Sequence, residues 1–380
     1  MQKELLDLHI SFSSYGDKLK TLLDAHASEF LGALTKAAVS FDATTMNGRS
    51  HVGLIVFNEK CEYHCVAVRD IEGKKGLEIA SVMNARLNEF DGLKEKVSCV
   101  ISDQCPAQRL GNTEMIKLYN NGREEANKLF QLCCLMHTVI NMDNNSAKEV
   151  YSSCPETKKA AMLLKIIFGS RKTLGFRRAC LKKSLHERIG GPSGFTTDIG
   201  SRYAVNFNNG KAVLWYEKDI VEVLGQPNAT KDKHESLLSL MNNQPVWSKV
   251  RLQLAILVLV WVAVISPFHS QVLKELTYGE IRRTFEEALN SLQSIIQAEN
   301  SFEVALSIAE EMRHEQHSTT PDAVAKIREH WSVCSDVLKG DINSLTRSAF
   351  KKCQTKLSND WLIIDKLPIG LDVILPWTNR

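Results

Sequence analysis

The sequence has no Walker-type glycine loop, no dinucleotide fingerprint and no Gly-x-Ser-x-Gly elbow, which removes the commonest nucleotide-binding and serine-hydrolase readings. It has no excess of one charge: 47 Lys and Arg against 44 Asp and Glu leave a net +3, so any nucleic-acid surface must be a local patch. It has no internal repeat and no low-complexity tract. The opening Met-Gln-Lys-Glu-Leu-Leu-Asp carries acids among its apolar residues and is no secretory h-region. The ten cysteines are scattered, and a reducing, intracellular compartment with thiols rather than disulfides is the expectation. The longest apolar run, Leu252–Phe268, falls short of the roughly 20 residues that a membrane span needs. It holds Gln253 and meets Ser266-Pro267, so it reads as a buried core helix and no membrane partner is expected.

What is present begins at Lys36–Thr45, Lys-Ala-Ala-Val-Ser-Phe-Asp-Ala-Thr-Thr. This reads as a buried strand ending in Asp42, followed by Asn47-Gly48 and a returning strand over His51–Phe57. Further strands are expected over Tyr63–Ile71, over Val97 to Ser102 ahead of Asp103, and over Leu129–Met136 ahead of His137. A helix after Gly76 places Ala80, Met83, Leu87 and Phe90 on one face, and Pro106 suits the first turn of another. Three hairpin-joined strands, then helix, strand, helix, strand, is the order of an RNase H-like core. The expected class is α/β (α+β): an RNase H-like mixed sheet interrupted by a large all-α insertion. The expected divisions are an N-terminal helical arm over 1–34, the core over 35–200, the insertion over 201–300, a C-terminal helical region over 301–366 and a tail over 367–380. Within the helical part, breaks are expected at Ser266-Pro267 and at Gly340, with helices over Gln271–Leu276 and Phe302–Glu315.

Four groups of residues could carry chemistry. In the expected topology the first and fourth strands are neighbours, so Asp42 and Asp103 stand side by side. Two carboxylates that close need a cation between them, and oxygen-only ligands favour Mg²⁺ or Mn²⁺; either aspartate alone reads first as a turn or helix cap, and it is the pair that brings the metal reading level with that one. Cys134-Leu-Met-His137 has half the ligands that a closed zinc site needs, which leaves a buried thiol and a satisfied histidine, or a histidine touching DNA beside Asp103. Ser201-Arg202-Tyr203 pairs a phosphate-binding guanidinium with an aromatic ring that could stack on a base, or simply packs at a helix start. The run Arg171–Arg188 has seven basic residues, among them Lys172, Arg177, Arg178, Lys182 and Lys183, against the single acid Glu187. It reads as a solvated face or as backbone contact to nucleic acid.

Taken in order, these motifs resemble those of hAT-type (hobo–Activator) DNA transposases. Ser40-Phe-Asp42-Ala-Thr-Thr with Asn47-Gly-Arg-Ser-His-Val-Gly53 is similar to the family's first catalytic block, and Val100-Ile-Ser-Asp103 to the second. Cys134-x-x-His137 resembles its C/D-x-x-H motif. Arg202-Tyr203 resembles its Arg-Trp pair with Tyr for Trp, and the stretch Trp247–Phe268 resembles its helical insertion. The resemblance covers residues 35–380. It implies a metal-dependent DDE enzyme of the nucleus with Asp42 and Asp103 as catalytic metal ligands, DNA as partner, self-association, and no small-molecule substrate. It also implies a third acid, in a Ser-Glu-x-x-Phe segment after the insertion, and no such segment occurs in these residues. No N-terminal Cys-x-x-Cys paired with His-x₃₋₅-His occurs over 1–35 either. The expectation is a fragment, or a decayed or domesticated copy, that does not cut DNA alone. The alternatives are a non-catalytic DNA-binding or dimerisation protein and, behind it, an active nuclease that draws its acid from Glu310, Glu311 or Glu315.

Overall fold

The structure is a computed structural model. It describes residues 25–46, 49–58, 62–71, 76–102, 106–124, 128–169, 205–225, 231–272, 278–312 and 320–365. Two compact units emerge: Met1–His137 with Glu275–Glu280 and Ile363–Arg380, and Thr138–Lys274 with Ile281–Leu362. The class is mixed α/β, mostly helical, with one five-stranded mixed sheet. The expected limit of the core near residue 200 lies outside the described residues.

The first unit holds the sheet. Helix α1 covers residues 25–32, and strands β1 (Ala37–Met46), β2 (Arg49–Phe57) and β3 (Tyr63–Ile71) follow. Then come α2 (Gly76–Glu89), the single turn α3 (Leu93–Lys96), β4 (Val97–Ser102), α4 (Pro106–Asn120) and β5 (Phe130–Cys133). The strand order is β3-β2-β1-β4-β5. The three hairpin-joined strands pair antiparallel, and β1–β4 and β4–β5 pair parallel. Alternation explains the core. Val39 and Phe41 of β1 and Val52, Leu54 and Val56 of β2 are buried with Ile79, Met83 and Leu87 of α2. Ala27 and Leu31 of α1 join the same cluster, so the described part of the expected arm is a packing element of this unit.

Two differences from the expected strands matter. β1 does not end at Asp42 but runs to Met46, because its antiparallel partner β2 continues to Arg49. Only the parallel pairing with β4 stops, after Phe41. β5 is four residues long, not eight, and His137 sits in the first turn of a helix rather than at a strand end. An apolar run of this length serves strand or helix equally well by pattern.

Helices α2 and α4 approach closely through two glycines. A Cβ on Gly111 would stand 2.9 Å from the carbonyl oxygen of Gly76 and 3.0 Å from Ile79 Cγ2. A backbone oxygen cannot swing aside as a side chain does. Gly111→Ala is therefore expected to destabilise this unit by roughly 1–3 kcal/mol, read as a lower midpoint in urea unfolding.

The second unit is helical: α5 (Leu135–Ser153), α6 (Pro155–Gly169), α7 (Val205–Leu224), α8 (Lys231–Asn242) and α9 (Gln244–Val260). A π-helical turn, Trp261–Ile265, runs into α10 (Ser266–Val272). After it come α11 (Tyr278–Gln297), α12 (Ser301–Glu311), α13 (Thr320–Ser332) and α14 (Asp336–Ile364). The apolar run is the axis of this unit. Gln244–Val272 is long and apolar enough to cross a membrane by length and composition, yet 83% of its most apolar window is buried. Helices α6, α7, α8, α12 and α13 pack against α9.

Ser266-Pro267 does not end this helix as expected. The π turn widens the backbone just ahead of the proline, with the Ser266 N–H donating to the Trp261 carbonyl five residues back. That local widening absorbs a ring that would otherwise strike the preceding turn. Nor does Gly340 break the chain: the break falls at residues 333–335, and α14 runs unbroken for 29 residues through Gly340. A glycine costs only about 1 kcal/mol in a helix interior, which long-helix packing overrides. α12 ends at Glu311, short of Glu315, and of the expected Gln271–Leu276 helix the described part is the end of α10.

One buried group opposes folding at neutral pH. Asp143 of α5 is 3% exposed and accepts a 3.0 Å hydrogen bond from Asn206 Nδ2 of α7. Burial pushes its carboxyl up to about 6. The Tyr151 phenol, and the Cys353 thiol of α14, are raised by burial first and by the Asp143 charge second. A carboxyl whose pKa is higher folded than unfolded favours folding when protonated, so its contribution declines as pH rises from about 4 through 6. Asp143→Asn is expected to gain about 2–3 kcal/mol at pH 7.5 and to flatten the stability profile between pH 4 and 6.5. Denaturant midpoints at three pH values check this.

Candidate metal and nucleic-acid site

The candidate site is built on one row of backbone. In the parallel part of the sheet Phe41 pairs with Ser102, and Ser102 pairs with Cys133. These are the last paired positions of β1 with β4 and of β4 with β5. The next residue in the sequence is Asp42, Asp103 and Cys134 in turn. Asp42 stands opposite Gly53 of β2; its side chain lies outside the described set, as does Asp103 altogether. Below the row the strands are dry: Phe41 is 1% exposed, and Cys99 and Val100 are fully buried. Burial pushes the Cys99 thiol up to about 12, which makes it an inert packing group.

Cys134 and His137 bracket the turn from β5 into α5. The His137 backbone N–H donates to the Cys134 carbonyl at 3.0 Å, a one-turn bond that fixes the spacing of the motif. Both residues are half-buried. Among the described residues no three His, Cys, Asp or Glu side chains gather as a metal site. The structure thus puts backbone positions 42 and 134 one residue past the end of the parallel pairing, with 137 in the first turn of α5. Arg171, Lys172, Arg177, Arg178, Lys182, Lys183, Arg202 and Tyr203 lie outside the described residues.

Of the acids considered as a third member, Glu310 is already engaged. Arg328 of α13 donates to it through Nε at 2.9 Å and through Nη2 at 2.7 Å, and its Nη1 binds Glu303. This fork raises the Arg328 pKa, through Glu310 first. A carboxylate held bidentately by arginine is a structural partner, not an open ligand. Glu315 lies outside the described residues.

Sequence reasoning missed the group that anchors the start of α5. Thr138, the residue after His137, donates at 2.7 Å to Asp360 of α14, and Lys356 pairs with the other carboxylate oxygen at 2.5 Å. Asp360 is 1% exposed. No local signal marks this contact, because 222 residues separate Thr138 from Asp360.

No family model and no curated protein sequence matches the chain.

Removing one partner of a buried ion pair costs far more than removing a neutral donor. Asp360→Ala is expected to destabilise by about 3–5 kcal/mol, and Thr138→Val by about 1–3 kcal/mol. Chemical denaturation of both variants at pH 7 orders them.

Proposed function

We propose that the chain is a transposase-derived DNA-binding protein with an RNase H-like core and hAT-like motifs, working on nuclear DNA. The observation that carries the reading is the row Phe41–Ser102–Cys133. Two candidate catalytic acids and the Cys-x-x-His motif each follow, by one position, a residue of that row. The strand order β3-β2-β1-β4-β5, with parallel pairing confined to β1–β4–β5, supports it as well.

Asp42 and Asp103 would hold Mg²⁺ or Mn²⁺. The donor set fits, since both are carboxylates and the residues before them are paired in register. A divalent cation bound there would neutralise the two like charges and act as a Lewis acid towards a phosphodiester. Around it, His137 would face the phosphate, Arg202 would bind backbone, and Tyr203 would offer a stacking ring. The basic residues Arg171, Lys172, Arg177, Arg178, Lys182 and Lys183 would track the DNA backbone. These 380 residues contain no Ser-Glu-x-x-Phe segment, and Glu310 is held by Arg328. The Arg328 fork makes Glu310 a poor third acid, which supports binding without cutting by these residues; self-association is part of the same proposal.

The full chain is expected to bind a double-stranded oligonucleotide with a steep salt dependence. Arg177→Ala with Arg178→Ala should lower the slope of log K against log salt by roughly 2, about 0.9 per lost phosphate contact. Mn²⁺ titration followed by electron paramagnetic resonance should show weak binding that Asp42→Asn abolishes. Affinity indifferent to salt and to both arginines would overturn the DNA reading. Unchanged Mn²⁺ binding in Asp42→Asn would remove the metal site. Metal-dependent nicking that needs Asp103 would replace the silent binder with an enzyme.

A further inference from the structure

We propose that Lys211 of α7 is an acylation site, whose ε-amine takes an acyl group from a thioester and so loses its charge. The proposal does not depend on DNA binding or on the metal site.

It starts from burial. Among the described residues Lys211 is the one lysine or arginine that is buried, at 8% exposure. Lysine is seldom buried unless an opposite charge meets it. Asp360, buried too, has Lys356 against it. Lys211 has no such counterpart: among the described residues its ammonium makes no ion pair and no hydrogen bond. Its contact is the face of the Phe207 ring, with Nζ 5.0 Å from the centroid. A ring face returns only part of what a carboxylate would. Burial lowers the Lys211 pKa, and no charged neighbour opposes it.

The packing of α7 explains the burial. Beside Lys211, Gly210 brings the helix against α9, where a Cβ would stand 3.0 Å from the Leu254 carbonyl oxygen and 3.3 Å from Val258 Cγ2. One turn back, Phe207 stacks on Trp261 of the π turn, with ring centroids 5.5 Å apart. Side chains on a helix lean towards its N-terminus, so the Lys211 stem runs back over Phe207 through apolar surroundings. The Nζ at its tip is not enclosed, which leaves a way in for a small acyl donor.

An ammonium in this setting is destabilised against the free amine, and the free amine is the nucleophile. Its lone pair attacks the thioester carbonyl carbon. The C–N bond forms, the C–S bond breaks, and the thiol leaves with the proton that the nitrogen sheds. Nothing is oxidised or reduced. The product amide carries no charge to desolvate, and its polar atoms lie at the tip, where water reaches. Acylation therefore removes the one feature of Lys211 that opposes its place in the fold.

The test uses the full chain and two exposed comparators, Lys218 of α7 and Lys351 of α14. Trace labelling with acetic anhydride across pH 6–11, read by peptide mass spectrometry, should mark Lys211 several times faster than either comparator at pH 7. Its rate should also level off at a lower pH than theirs. In urea the three should label alike. Incubation with S-acetyl-N-acetylcysteamine at pH 7.5 should acetylate Lys211 ahead of both. Lys211→Met and Lys211→Gln, which keep the stem and drop the charge, should each unfold at a urea concentration no lower than the parent's. Folded-state labelling of Lys211 at or below the rate of the comparators would overturn the proposal and leave a lysine that merely covers Phe207. A lower urea midpoint in both variants would overturn it as well, because it would show the charge to be compensated.

Discussion

The parallel pairing of β1 with β4 is the constraint on which the sheet-bearing unit depends. β1 is the pivot: antiparallel to β2 on one side and parallel to β4 on the other. A parallel neighbour cannot be reached by a hairpin, so the chain must cross over through β2, β3 and α2 before β4 can dock. That detour puts α2 and α4 together, close enough that Gly76 and Gly111 are needed where they touch. It also sets Phe41, Ser102 and Cys133 in one row. Whatever the residues that follow the row do, they do it together because of this register.

The parts that were legible in the sequence are those with a local cause. β3 and β4 lie where alternation and turn residues put them, over Tyr63–Ile71 and from Val97 to Ser102. Pro106 opens α4 as its fixed φ suggests. What was not legible depended on a distant partner. β1 outlasts Asp42 because β2 is still beside it. The apolar run from Leu129 to Met136 divides into strand and helix because β4 offers β5 only four partners. Pro267 is passed because a π turn precedes it, which no propensity scale anticipates. For the site, the setting of Cys134 and His137 at a strand-to-helix turn was not legible, because the apolar run carries no mark of where the strand stops.

The helical unit rests on a different constraint, the burial of α9. A helix that is apolar all round must be surrounded, and it is, by helices drawn from both sides of it in the chain. Hydrophobic contact alone would let such helices slide. The buried polar groups fix their places. Gln253 of α9 pairs with Thr157 of α6. Glu217 of α7 takes the Trp247 indole N–H at 2.6 Å and the Arg251 guanidinium at 3.3 Å, both from α9. Asp360 of α14 holds Thr138 of α5. Each bond joins helices far apart in sequence, and each leaves a costly orphan if the helices shift by a turn.

This arrangement explains why Asp143 is tolerated. Asn206 donates to it, and desolvation outweighs that bond, so the carboxyl is driven towards protonation. An aliphatic residue would avoid the desolvation cost, but it would remove the better of the Asn206 amide's two acceptors, Asp143 at 3.0 Å against Asn144 at 3.4 Å, and with it the bond that specifies the meeting of α5 and α7. Another buried acid, Asp360, carries a full countercharge in Lys356. Asp360 is compensated within its own helix; among the described residues Asp143 is met by a neutral amide from another, so the joint between α5 and α7 tightens as the Asp143 carboxyl takes up a proton.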